Sequence, residues 1–388
     1  MDNIVIVNYK RTPLGAFQGA LKGFSSTDLG SHVIKGCLEG FDNVRVDNVL
    51  MGCVLPAGLG QAPARQAAIN AGLPFNVNAI TINKVCGSGM QSIMLAHDMI
   101  MAGTSSVAIA GGMESMTNAP YLLEKARSGY RLGHNKIIDH MFKDGLEDAY
   151  SNGKLMGEFA EDTAELYKFS REDQDNYAIK SVQKAQKNLD NLKNEIYPLE
   201  IKSKKGSEIL DKDETPLKVD IEKIKKLRPA FRSNGTVTAA SSSSIADGAG
   251  CVLLMKESMA AKLNCTPIAK IVSFSSFSQD PKFFTTAPIG SIKDALSKAD
   301  WQLNDVDLFE INEAFAVVAM SAMHDLEIPE EKVNIFGGAC ALGHPLGASG
   351  VRIVITLLNA LKTTRQRRGL ATLCVGGGEG VAITVEMI

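Results

Sequence analysis

Apolar and polar residues alternate with a period of two along Ala79-Ile80-Thr81-Ile82-Asn83-Lys84-Val85, whereas Met90, Ile93, Met94, His97, Ile100 and Met101 recur at helical spacing. The first pattern predicts a strand and the second a helix, because side chains repeat every two residues on a pleated strand and every three to four on a helix. Upstream, Ile4-Val5-Ile6-Val7 predicts a strand at 4–8, followed by a helix near 27–39, a strand at 48–52 and a helix near 62–71. Val107-Ala108-Ile109-Ala110 predicts a further buried strand, stopped by a tight turn at Gly111-Gly112. Such alternation implies an α/β fold with a parallel or mixed sheet covered by helices.

The second half repeats the plan. Val46-Asp47-Asn48-Val49-Leu50-Met51-Gly52 resembles Val306-Asp307-Leu308-Phe309-Glu310-Ile311-Asn312. Asp47 to Cys86 spans 39 residues (86 − 47) and Asp307 to Gly347 spans 40 (347 − 307), each interval ending at a glycine-rich turn that opens an apolar helix. Each helix leads to a strand that stops at glycines, Gly111-Gly112 in one copy and Gly376-Gly377-Gly378 in the other. Two such halves facing each other would deliver equivalent loops to one crevice at the carboxyl ends of their strands. Residues 119–245 break the pattern. They are rich in Lys, Asp, Glu, Asn and Gly, with helical segments near 156–190, and read as an inserted, partly mobile domain. Glu161, Asp162, Glu165 and Lys168 mark solvated faces there; the functional alternative is a lid bringing Lys and Arg to a phosphorylated substrate.

Composition narrows the partners. A chain of 388 residues is long for one core and predicts two or three domains or one large layered unit. A net charge of −2 makes neither nucleic acid nor an anionic membrane the main partner. The seven cysteines are scattered and form no CxxC pair, which suggests neither a disulfide framework nor a zinc site. No apolar run approaches the ~18 residues of a membrane span, and a strand beginning near Met1 leaves no room for a targeting peptide. A cytoplasmic location is expected.

Chemistry is concentrated where strands end. Cys86 lies between the 79–85 strand and a helix that opens with Gly87 and Gly89, where unpaired N–H groups and the helix dipole favour a thiolate. Most cysteines are small buried hydrophobes, but these glycines leave backbone open to an approaching carbonyl. Four other stretches fall at strand ends: Asn312-Glu313-Ala314-Phe315-Ala316, the glycine-rich Gly337–Gly350, Cys374–Gly380 and Ser241–Ser244. Gly343 and Pro345 fix a non-helical backbone around His344 and so display its ring, whereas His32, His97, His134, His140 and His324 read as structural. Two thiols, an imidazole and an amide suit carbonyl chemistry in which one Cys is acylated and a second base handles protons. Metal binding would need closed Cys/His spacing, which the chain lacks.

Together these residues resemble the thiolase family over nearly the whole chain. The family's thiol motif resembles Asn83–Gly89, its histidine motif Gly337–Gly350, its terminal thiol motif Cys374–Gly380, and a further signature Asn312–Ala316. Shorter similar stretches include Arg11–Phe17, Ala64–Ala68, Gly111–Met116, Leu227–Phe231 and Gly235–Ala239. The resemblance implies a duplicated α/β core, layered αβαβα, with an inserted loop domain that grips coenzyme A. On this view 1–118 with 246–268 form the N-terminal half, 119–245 the insert and 269–388 the C-terminal half.

The resemblance also implies a reaction: two acetyl-CoA molecules condense to acetoacetyl-CoA and CoA, or the reverse, through an acyl-cysteine. Cys86 would be the nucleophile, His344 its base, Cys374 the second acid and base, and Asn312 and Gly376 would help to hold the oxyanions. Met156, Phe231, Ala239, Ser243, Ala314 and Phe315 match pantetheine or acyl pocket positions. No resident cofactor and no metal are implied, since coenzyme A is substrate and product. A homotetramer, a dimer of dimers, is implied as well. The alternatives are a degradative 3-ketoacyl-CoA thiolase of broader chain length and a non-catalytic acyl-CoA binding protein. Ketoacyl synthases usually pair the nucleophile with histidines, so Cys374 argues against them. The chain departs from the family at Leu155, Phe284, the run Ser241, Ser242, Ser244 and Ala246, and Glu379, whose charge is expected to alter the proton affinity of Cys374.

Overall fold

Strand β1 (Ile4–Arg11) feeds two cores at once: Ile4 and Ile6 point to one cluster, Val5 and Val7 to another. A strand apolar on both faces belongs inside a layered protein. The computed structural model describes residues 2–203 and 206–388 and places β1 in a ten-stranded sheet. Its other main strands are β2 (Asn48–Gly52), β3 (Asn78–Ile82), β4 (Val107–Ser115), β5 (Ala246–Lys256), β6 (Ala269–Ser278), β7 (Leu308–Ile311), β8 (Arg368–Val375) and β9 (Glu379–Met387). They run in the order β7-β8-β9-β6-β1-β5-β4-β2-β3.

That order contains the repeat. In one half β2 is parallel to β4, which is antiparallel to β5; in the other β7 is parallel to β8, which is antiparallel to β9. The halves join where β1 meets β6, through the pairs Val5↔Lys270 and Ile6↔Ala269. Residues 119–245 leave the sheet after β4 and return to it at β5.

Helices fill three layers. On the outer faces, α1 (Ser26–Leu38) and α2 (Pro63–Asn70) pack on one half, and α6 (Ala287–Ala299) with α7 (Ala316–Leu326) on the other. Between the halves lie α3 (Ser88–Met101) and α8 (Leu346–Thr364), which touch each other and strands of both halves. Every residue of α8 from Leu346 to Leu361 is buried. A helix buried all round is the expected core of a layered protein, each buried Leu, Ile or Val contributing roughly 1.5–3 kcal/mol. The insert supplies α4 (Met156–Tyr167) and α5 (Arg171–Lys187).

Two sequence expectations are corrected. Gly111-Gly112 is not a turn: β4 runs straight through both. A side chain at Gly111 would collide with the Gly250 carbonyl and one at Gly112 with that of Gly347, so the glycines let backbone approach backbone. Glu161 is not on a solvated face either. It is buried, accepting hydrogen bonds from the N–H groups of Thr236 at 2.8 Å and Val237 at 3.0 Å. A carboxylate buried with its donors pins a loop rather than solubilising a helix.

Candidate active site

β3 stops at Ile82, short of the expected Val85, and Val85 itself adopts a left-handed φ of +45°. Such a conformation is costly for a β-branched residue and persists where surroundings enforce it. Here Val85 N–H donates to Asn83 Oδ1 at 3.0 Å, and the Ser88 hydroxyl donates to the Val85 carbonyl at 2.6 Å. The knot turns the chain into α3 and sets Cys86 at the crevice.

The Cys86 sulfur receives two backbone N–H groups, its own and that of Gly376. Burial nonetheless dominates and pushes its pKa up to about 11; the two N–H groups pull it down, and the Glu114 charge adds to the rise. The helix terminus therefore does not make a resting thiolate, contrary to the sequence expectation, and a base is needed. Alkylation of Cys86 by iodoacetamide is expected to accelerate about tenfold per pH unit between pH 7 and 9; a plateau below pH 8 would refute the raised pKa.

Cys374 is the last residue but one of β8 and is fully buried. Its thiol is raised well above the usual range, first by burial and then by the charge of Cys86, its own N–H opposing. The two sulfurs thus feel each other, and a thiolate on one disfavours a thiolate on the other. Glu379 acts differently from expectation: its carboxylate is taken by Lys84, and Glu379 is not among the groups perturbing Cys374.

His344 is buried just ahead of α8, after Gly343 with its φ of +106°. Its N–H donates to the Ser244 carbonyl at 2.9 Å. Nδ1 lies 2.5 Å from Ser349 Oγ, and the Ser349 hydroxyl donates to the Pro345 carbonyl at 2.9 Å. Having given its one proton away, Ser349 accepts from Nδ1–H, which leaves Nε2 as the lone-pair nitrogen. Nε2 is buried with no partner among the described residues. Burial, then the Arg352 charge, hold the imidazole pKa down to about 3, so the ring is neutral at pH 7.

Asn312, at the end of β7, places Nδ2 3.5 Å from His344 Nδ1, while its Oδ1 accepts from Arg352 at 3.3 Å. Arg352 also reaches Glu310 at 3.2 Å. Ser349 and Arg352 escaped the sequence reading, although their three-residue spacing on α8 puts them on one face beneath His344. Glu313, beside Asn312, is a structural hub: Tyr177 and Ser181 hydroxyls, Asn334 and the Cys340 N–H all donate to it at 2.7–3.0 Å.

The remaining expected residues mostly converge. Met156, Phe231, Ala314, Phe315 and Cys374 share one apolar cluster, with Phe231 and Phe315 edge to face at 5.9 Å. Ser243 joins through its N–H, which donates to the Ala314 carbonyl at 2.9 Å. Ala239 stands apart, exposed in the loop before Ser241. Phe284 is packed behind Cys374 against Phe159. A cavity of about 760 Å³ opens beside the thiol loops, lined by Asn83, Val85, Met156, Gly376 and Gly377. His140, read from sequence as structural, lines it too.

Residues 4–258 match the thiolase N-terminal domain and residues 265–387 the thiolase C-terminal domain. The chain belongs to the thiolase family. Two relatives are 46% identical to this thiolase over 391 residues: the acetyl-CoA acetyltransferase of Pseudomonas aeruginosa, with 99% of each chain covered, and the probable acetyl-CoA acetyltransferase of Escherichia coli, with 100% of this thiolase and 99% of that protein covered. The crystal structure of the Bacillus anthracis acetyl-CoA acetyltransferase is 39% identical and superposes with a TM-score of 0.96, covering 100% of this thiolase and 99% of that chain. No helix among the described residues is long and apolar enough to cross a membrane.

Proposed function

We infer that this thiolase is an acetyl-CoA C-acetyltransferase, condensing two acetyl-CoA into acetoacetyl-CoA and CoA and running the cleavage in reverse. The observation that carries the reading is the pairing of two thiols, Cys86 with the Gly376 N–H at its sulfur and Cys374 within reach of its charge, while Leu346, two residues after the neutral His344, shares an apolar cluster with Cys86. Coenzyme A enters as substrate and leaves as product. No resident cofactor takes part.

In the first half-reaction Cys86 gives its proton to His344 Nε2 and attacks the acetyl carbonyl carbon. The carbon–sulfur bond to CoA breaks, and Cys374 protonates the departing sulfur. Cys374, now a thiolate, then removes a proton from the methyl group of a second acetyl-CoA. The carbanion attacks acetyl-Cys86, the carbon–sulfur bond to Cys86 breaks, and His344 returns the proton. Negative charge on the acyl oxygen falls to the N–H groups of Cys86 and Gly376. The enolate oxygen falls to His344 Nε2–H and a water held by Asn312. Met156, Phe231, Ala239, Ser243, Ala314 and Phe315 would hold the pantetheine arm and acyl group.

An Asn312→Ala variant is expected to lose about 10²–10³-fold in kcat, with KM changed far less, since a donor that acts mainly on developing charge adds little to ground-state binding. Unchanged turnover would remove Asn312 from the mechanism. The room in the 760 Å³ cavity favours one second reading, a degradative thiolase for longer chains. CoA-dependent cleavage of acetoacetyl-CoA against a longer 3-ketoacyl-CoA separates them: the first reading requires faster cleavage of acetoacetyl-CoA, and cleavage of neither would leave a binding protein. Assembly as a homotetramer, a cytoplasmic location and a part in fatty acid metabolism complete the proposal.

A further inference from the structure

Lys84 Nζ binds Glu379 Oε2, and the pair bridges the two thiol loops with side chains only 22% and 33% exposed. Lys84 precedes Cys86 by two residues; Glu379 sits across the ladder from Val375, at the base of the Gly376-Gly377-Gly378 turn. Both ends are anchored. Lys84 N–H donates to Ser88 Oγ at 2.8 Å, and the Lys84 carbonyl accepts from Gly87 N–H at 3.0 Å. Glu379 is paired on both sides, with Val375 and with Ser278. The ion pair therefore joins two stiff pieces of backbone, one from each half of the chain.

Elsewhere these loops meet without charge. A side chain at Gly87 would press on Val375, and one at Gly376 would touch Val85 and Met156. Among the described residues no other ion pair spans them. Yet the two N–H groups at the Cys86 sulfur come from opposite loops, Cys86 from one and Gly376 from the other. How well both can meet a single oxygen depends on the spacing of the loops.

The geometry points to Lys84 and Glu379 as a positioning pair that holds the Gly376 N–H in register with the Cys86 N–H, so that both donate to one acyl oxygen. The inference rests on Cys86 being the acylated residue. A partly exposed ion pair adds little to global stability, but donors must lie within about 2.7–3.1 Å of the developing oxyanion. A misplacement of roughly 1 Å can cost about 10²-fold in rate. The pair thus matters to turnover more than to folding.

The test compares wild type, Glu379→Gln, Lys84→Met and the charge-exchanged double variant K84E/E379K. Measured are kcat and KM for thiolysis of acetoacetyl-CoA, the thermal midpoint, and amide hydrogen exchange of residues 374–380. Each single variant is expected to lose about tenfold in kcat, with KM within about twofold, an unchanged midpoint and faster exchange at 374–380. The double variant should regain most of the loss. Raising salt should slow wild type and leave Glu379→Gln unaffected. Single variants that keep wild-type kcat, or a double variant no better than the singles, would overturn the positioning role. A wild type without thiolysis would instead overturn the proposed reaction, and the exchange data would still decide the pair: unaltered exchange in Glu379→Gln refutes it.

Discussion

Cys86→Ser is expected to lower acetyl transfer by about 10⁴-fold or more, the loss seen when a nucleophile acting as part of a unit is removed. The reasoning turns on proton affinities. An alcohol holds its proton far more tightly than a thiol, and His344, held down to about 3 by burial and by Arg352, is a weak base. A thiol at about 11 already needs help from the incoming carbonyl and the paired N–H groups to ionise; a serine in its place is beyond reach of that base. Little else should change, because the exchange swaps one small group for another at the start of α3 and leaves the Gly376 N–H in position. Unaltered CoA binding and thermal midpoint are therefore expected alongside lost turnover. Intact-mass measurement after mixing with acetyl-CoA should find the acetyl adduct on wild type and none on the variant. An adduct persisting in Cys86→Ser would relocate the nucleophile.

Arg11→Met is expected to destabilise the protein by about 3–5 kcal/mol, as for breaking a buried ion pair from one side. Arg11 is wholly buried at the end of β1 between two equally buried carboxylates of the insert. Its Nε donates to Glu195 at 2.5 Å, and its two terminal nitrogens donate to Asp213 at 2.6 and 2.8 Å. Burial alone would weaken its hold on the proton, but Asp213 and then Glu195 outweigh that and raise it. Methionine fills the space and abandons both carboxylates. Thr356 and Asn359 still donate to Glu195, while Asp213 keeps the Leu14 N–H. A lowered urea midpoint and faster proteolysis between 190 and 225 are the expected readouts. The triple variant Arg11→Met, Glu195→Gln, Asp213→Asn should regain part of the loss. A midpoint equivalent to less than about 1 kcal/mol from wild type would refute the weight given to the Arg11 ion pairs.

What the sequence made legible was local. The strand at 48–52, the helix after Cys86 and the glycine turn after Cys374 follow from periodicities of two and 3.6 and from glycines where a turn needs them. What escaped it was set by residues far along the chain. Gly111-Gly112 looks like a turn until Gly250 and Gly347 are brought against it, and Glu161 looks solvated until Thr236 and Val237 fold over it. Arg11 is separated from its partners by 184 and 202 positions. The site divides in the same way. Motif and spacing single out Cys86, His344, Cys374 and Asn312 as candidates, but they do not fix the protonation of the two thiols and the imidazole. Burial works against the expected thiolate at Cys86, and Glu379 pairs with Lys84.

The burial of α8 has a consequence for biosynthesis. β5 is complete at Lys256, and with it the strands of the N-terminal half, but the helix that covers their inner face ends at Thr364, 108 residues later (364 − 256). At about 5–20 residues per second the ribosome takes roughly 5–20 s to supply it. Through that interval α3 lies on its own half's strands without α8 against its other side, and the apolar face it shares with α8 waits in water. The nascent chain is thus most exposed to aggregation after its first half is finished, and it is there that a chaperone would find it.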